Sequence, residues 1–229
     1  MKKLLSLGLF ALLASLNGCS TLDQHADAKP WIQLFDGKTL NGWEQKGGKA
    51  AYRAENGELV GVSAPNTGNS FLCTKREFSN FILELEFKTE KELNSGVQLR
   101  SHAFDQATEF EWQGKKIKVP AGRVHGLQAE IDPSARAWTG GIYDEGARGW
   151  LNDLKSNEPA RLAYKAEGWN KFHIECRGDS IKTWLNGVPA ADLKDSRVMS
   201  GFIALQVHSV GKKEIPLEVH FRNLRLQEL

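Results

Sequence analysis

Phe81-Ile82-Leu83-Glu84-Leu85-Glu86-Phe87-Lys88 decides the fold. Phe81, Leu83, Leu85 and Phe87 alternate with Ile82, Glu84, Glu86 and Lys88, a period of two. Successive side chains of a strand point to opposite faces, so this segment buries one face and wets the other. The same pattern recurs in Phe172-Ile174-Cys176, in Ile203-Leu205-Val207 and in Leu217-Val219-Phe221. Turn signals separate such runs: Glu55-Asn56-Gly57-Glu58, Arg177-Gly178-Asp179-Ser180 and Leu185-Asn186-Gly187-Val188. Asn-Gly supplies the positive φ that tight hairpins require. There is no long segment of helical period and no internal repeat. The expectation is an all-β domain, a two-sheet antiparallel sandwich of jelly-roll form with minor helix.

The chain of 229 residues starts with an address. Lys2 and Lys3 precede the apolar run Leu4 to Leu16, which is too short to span a membrane as a helix. Leu16-Asn17-Gly18-Cys19 reads as a lipobox. Residues 1–18 are therefore expected to be a lipoprotein signal peptide, with Cys19 lipidated and residues 19–30 a tether. Residues 31–229 form the folded domain. Ser20 after the Cys favours the outer membrane, facing the periplasm, and the acyl chains supply the membrane contact. Net charge is +2 and no Lys/Arg stripe stands out, which argues against nucleic acid. Cys73 and Cys176 sit in phase with apolar neighbours and read as two buried thiols; a disulfide is the alternative in an exported protein.

Parity sorts the polar residues. Glu84, Glu86 and Lys88 form a solvated back face. Gln98 and Arg100 lie opposite Val97 and Leu99. Gln128, Glu130 and Asp132 lie opposite Leu127, Ala129 and Ile131. Gln206 and His208 lie opposite Leu205 and Val207, and Lys182 and Trp184 opposite Ile181, Thr183 and Leu185. These four strands are expected to share one sheet, whose concave face would hold a ligand. The loop after Asp132 adds Trp138, Tyr143, Asp144, Arg148 and Trp150. Carboxylates and amides beside aromatic rings suit a sugar.

The resemblance to a known family rests on ordered motifs. They are Leu34 to Trp43, Asn94-Ser95-Gly96-Val97-Gln98-Leu99-Arg100, Gly126 to Asp132, Trp138 to Glu145, Trp169-Asn170, Thr183 to Val188, Gly201 to His208 and Phe221 to Arg225. Over residues 31–229 the chain resembles the 3-keto-disaccharide hydrolase family. The order Gln128 before Glu130 is the reverse of that in many relatives. The resemblance implies a concanavalin A-like jelly roll acting on glycosides already oxidised to a ketone at sugar C3.

Such a ketone acidifies the C2 proton. Removing it expels the aglycone from C1, and water adds to the enone. Glu130 is the first choice as base, followed by Asp132 and His208. Arg100 would polarise the ketone through its fixed donors, or else simply pair with Glu130. His102 shares the parity of Arg100 at the strand end. Gln98, Gln128 and Gln206, with Trp138, Tyr143, Asp144, Arg148, Trp150 and Trp184, are the candidate substrate contacts; mutual pairing of Asp144 with Arg148 is the alternative for those two. No cofactor is required, and Glu130 and His208 leave room for a divalent metal. No dinucleotide fingerprint is present, so a separate sugar 3-dehydrogenase is the expected functional partner. The competing expectation is a non-catalytic carbohydrate-binding envelope lipoprotein on the same sandwich.

Overall fold

The computed structural model describes residues 29–229. The export segment and Cys19 lie outside the described residues. Two antiparallel sheets face each other, and strands are numbered in chain order. The back sheet runs β15 (Val188–Lys194), β14 (Ser180–Leu185), β13 (Asn170–Arg177), β6 (Phe81–Thr89), β17 (Glu218–Glu228), β4 (Glu58–Val62) and β3 (Ala51–Glu55). The short β1 (Ile32–Gln33) also pairs with β17. The front sheet runs β12 (Gly149–Asn152), β11 (Ile142–Glu145), β10 (His125–Ile131), β7 (Ser95–His102), β16 (Gly201–Val207), β5 (Ser70–Phe78) and β2 (Trp43–Gly47). A separate hairpin joins β8 (Thr108–Trp112) to β9 (Lys115–Val119), and α1 (Glu158–Leu162) is a single turn capped by Asn157.

The alternating residues meet between the sheets. Phe81, Leu83, Leu85 and Phe87 of β6 are buried with Phe172 and Ile174 of β13 and with Val97, Leu127 and Leu205 of the front sheet. The Phe87 and Phe172 rings lie 4.6 Å apart. Each such side chain removed from water stabilises the fold by roughly 1.5–3 kcal/mol. The solvated side of β6 carries ion pairs, Glu84 to Arg225 and Glu86 to Arg222, both at 2.6 Å. Both cysteines are free and buried: Cys176 sits in the core between the sheets, Cys73 on the outer side of the front sheet. Burial pushes each thiol up to about 12.

The expected hairpins form where Asn-Gly stands. Asn56 and Gly57 link β3 to β4 with φ of 52° and 78°, and Asn186 and Gly187 link β14 to β15 with φ of 52° and 85°. The same device recurs unannounced at Gln113-Gly114, between the half-exposed strands β8 and β9.

One expectation about the sheets is corrected. β7, β10 and β16 are neighbours in the front sheet, but β14 belongs to the back sheet. The cause is the pair of two-residue turns flanking it. Tight turns keep β13, β14 and β15 adjacent as a meander, and β13 pairs with β6. Trp184 and Lys182 therefore stand on the opposite side of the sandwich from Glu130. Trp184 packs edge-on against His173, 5.1 Å away.

Candidate active site

The outer face of the front sheet carries an open hollow of about 820 Å3. Its floor is set by strand parity. With Leu127, Ala129 and Ile131 in the core, Gln128 and Glu130 must face outward. Glu130 Oε1 accepts from Asn94 Nδ2 at 2.6 Å and Oε2 from Gln128 Nε2 at 2.8 Å. Gln128 Oε1 accepts from Gln98 Nε2 at 2.5 Å, and Gln98 Oε1 from Ser101 Oγ at 2.7 Å. A chain of neutral donors thus ends on one carboxylate. Glu130 is only 5% exposed. Burial raises its pKa above the ordinary carboxylate value; the two amide donors work against that rise, and the charge of Asp132 adds to it.

Asp132 has the opposite balance. Burial works against its charge, but the Ser134 N–H, the Arg136 guanidinium at 2.7 Å and the Trp138 N–H hold its carboxyl below the usual range. Arg136 lies over the rings of Trp138 and Trp150, 4.8 and 5.1 Å from their centroids. Trp150 and Tyr143 border the hollow, with Trp138 packed edge-on behind Trp150 at 4.8 Å. Trp138 also rests on the satellite cluster of Leu154, Ala160 and Ala190.

A third buried carboxylate, Glu145, borders the other end. Arg123 Nη2 lies 2.9 Å from its Oε1, and Asn69 Nδ2 and Gln206 Nε2 reach it at 3.4 Å. His208 borders this hollow too, exposed, with its ring turned to the Ser209 carbonyl at 2.8 Å. Tyr143 feels both ends: burial, then the charges of Glu145 and Glu130, push its phenol up.

Besides Trp184, four sequence candidates lie elsewhere: Arg100, His102, Asp144 and Arg148. Arg100 was expected beside Glu130 and is instead fully buried, donating to the carbonyls of Ser79 at 2.5 Å and Gly178 at 2.7 Å and to Asn80 Oδ1 at 3.2 Å. A β-bulge is the reason: Leu99 pairs with Leu127 but His102 with His125, so β7 spends one more residue than β10. Arg100 takes φ of 49° and rolls inward, leaving Ser101 beside Gln98. His102 is carried past the hollow and stacks on Phe104 at 4.9 Å. Asp144, fully buried, pairs with Arg148 and Arg197, and Arg148 also with Asp195 at 2.5 Å; this is the mutual pairing of the loop. Residues the sequence reading did not single out are Asn94, Arg123, Arg136, Asn69 and Glu145. The parity of Tyr143 carries over to Glu145, which was the available signal.

Glu130 and His208, the two residues left open for a metal, both border the hollow. Among the described residues, however, no three His, Cys, Asp or Glu side chains gather so as to hold an ion, and both Glu130 oxygens already accept hydrogen bonds.

Comparison with known proteins agrees with the architecture. A solved structure of a proposed glycosyl hydrolase from Parabacteroides distasonis superposes with a TM-score of 0.56 at 23% identity, covering 87% of this chain and 100% of that one. A Bacillus subtilis protein of unknown function with a galectin-like fold gives a TM-score of 0.56 at 13% identity, covering 82% and 90%. The 3-keto-disaccharide hydrolase of Bacteroides thetaiotaomicron is 34% identical over 85 residues, a match spanning 34% of this chain and 29% of that protein. The model of the 3-keto-alpha-glucoside-1,2-lyase-like domain matches residues 30–227, nearly the whole of the described fold. The chain belongs to the family of the 3-keto-alpha-glucoside-1,2-lyase-like domain.

Proposed function

We propose that this protein cleaves 3-keto-glycosides, with 3-keto-disaccharides as the substrate class, by elimination followed by hydration. The observation that carries the reading is Glu130: a buried carboxylate with raised pKa, fixed by two amides and facing an open hollow. A base of raised pKa is a stronger proton acceptor, suited to a carbon acid. Glu130 takes the proton from C2. The freed electron pair forms the C1–C2 double bond as the bond from C1 to the aglycone oxygen breaks, and that oxygen takes up a proton. Water then adds across the enone, hydroxyl to C1 and proton to C2, giving the free 3-keto sugar.

With Arg100 in the interior, two guanidiniums border the hollow, and Arg136, on the Asp132 side next to Glu130, is the cation for the enolate oxygen at C3. Tyr143 and His208 border the same space and can protonate the leaving oxygen. Trp150 and Tyr143 offer ring faces to the sugar. Oxidation at C3 falls to a separate dehydrogenase. The Lys2 to Cys19 segment supports an envelope lipoprotein, anchored through Cys19 and facing the periplasm.

The test is to incubate the soluble domain with a 3-keto-disaccharide, with and without chelator, and measure free aglycone. Wild type should release it, and Glu130→Gln should slow turnover by about 100-fold or more while binding persists. Saturable binding with no release at any pH or metal condition would favour a carbohydrate-binding protein instead.

A further inference from the structure

We propose that the Glu145 end of the hollow is a subsite for the departing group, built for a second sugar ring rather than an apolar aglycone. This rests on the reading of Glu130 as the base at the other end. Glu145 is 5% exposed yet borders the hollow. Its contacts from Asn69 and Gln206 are long, 3.4 Å each, so its carboxylate keeps acceptor capacity. Gln206 beneath it is fully buried, and its Oε1 has no hydrogen-bond partner. Gln206 lines neither hollow, so its acceptor is out of a ligand's reach, and its part is to support Glu145 from below through Nε2. Glu145 thus calls for hydroxyl protons, while Arg123 and Asn69 offer N–H groups to hydroxyl oxygens. Adjacent hydroxyls of a sugar ring satisfy both demands. An apolar aglycone would strip these groups of water and return nothing. Space continues beyond them. A second hollow of about 290 Å3 shares Asn69 and Arg123 with the first and is walled by Gly47, Gly48, Gly68 and Gly122.

The test titrates free glucose, galactose and mannose into wild type, Glu145→Gln, Asn69→Ala and Glu130→Gln. At least one hexose should bind wild type saturably. Glu145→Gln and Asn69→Ala should each weaken it about tenfold, and Glu130→Gln by less than about twofold. No saturable binding to wild type, or equal loss in Glu130→Gln, overturns the subsite. In turnover, Glu145→Gln should raise KM for a 3-keto-disaccharide about tenfold and leave that for a methyl 3-keto-glucoside unchanged. An equal effect on both substrates also overturns it. If wild type turns over neither substrate, the proposed reaction fails, and the hexose titration still decides the subsite.

Discussion

Glu130 depends on a residue that has no side chain. Gly96 pairs across from it, and the Gln128 side chain lies over the bare Cα on its way to Glu130. A Cβ at Gly96 would stand 2.4 Å from Gln128 Cδ and 2.6 Å from its Cγ. Gly96→Ala must therefore push Gln128 aside and loosen the carboxylate. Overpacking of this kind costs roughly 1–3 kcal/mol of stability, read by urea unfolding. Turnover should fall about tenfold or more, as a misplaced catalytic group loses its geometry. Gln128→Leu isolates the electrostatic part. It removes an N–H that favours the charged form of Glu130, so the pKa climbs further. The base-dependent rise of kcat/KM with pH should then move to higher pH than in wild type; an unmoved profile would remove Glu130 as the titrating base. At this scale the sequence was readable wherever the strand is regular. Gln128 and Glu130 follow from the burial of Leu127, Ala129 and Ile131. Arg100 was not readable, because a positive φ at a non-glycine residue leaves no mark in the alternation.

The bulge at Arg100 makes a structural element out of a candidate catalytic residue. Its guanidinium reaches the β5–β6 turn through Ser79 and Asn80 and the β13–β14 turn through Gly178. It thereby ties one end of the front sheet to the back sheet. Among the described residues no carboxylate offsets its charge; two carbonyls and an amide oxygen do, and burial lowers its pKa. Arg100→Leu leaves those three acceptors without their donor. The expected loss is about 3–5 kcal/mol, seen as a lower urea midpoint with unchanged slope. Glu130 should keep its hydrogen bonds, since Gln98 and Ser101 face away from the tie. A variant stable as wild type but inactive would place Arg100 in the chemistry after all. The meander of β13, β14 and β15 teaches the complementary lesson. Its turns were legible, and they already dictated that β14 stays beside β13. What they could not announce was that β13 pairs with β6, a contact nearly 90 residues distant in the chain.

Across the whole molecule, one carboxylate on each outer face, Glu84 behind and Glu130 in front, is tuned in the opposite direction to the other. On the back face, burial penalises Glu84, but Arg225, His173 and Lys171 outweigh it and hold its pKa at about 2, down from 4.5. On the front face, burial outweighs the amides and raises Glu130. Linkage fixes the sign of each contribution. A depressed folded pKa gives stability that is complete above pH 4.5 and lost as pH falls toward 2; for Glu84 this is about 3 kcal/mol as an upper bound. A raised folded pKa does the reverse. The fold holds the Glu130 proton more tightly than the unfolded chain does, so stability drains away as pH rises from 4.5 through the folded value. Urea unfolding of wild type, Glu84→Gln and Glu130→Gln between pH 2 and pH 8 separates the two. Relative to wild type, Glu84→Gln should lose stability as pH rises, and Glu130→Gln should gain it. Curves of the same sign would mean that the front hollow does not store the cost of a buried base. Opposite signs are what the sandwich needs: a paired back face stabilises a domain whose front face carries a charge that only its substrate has a use for.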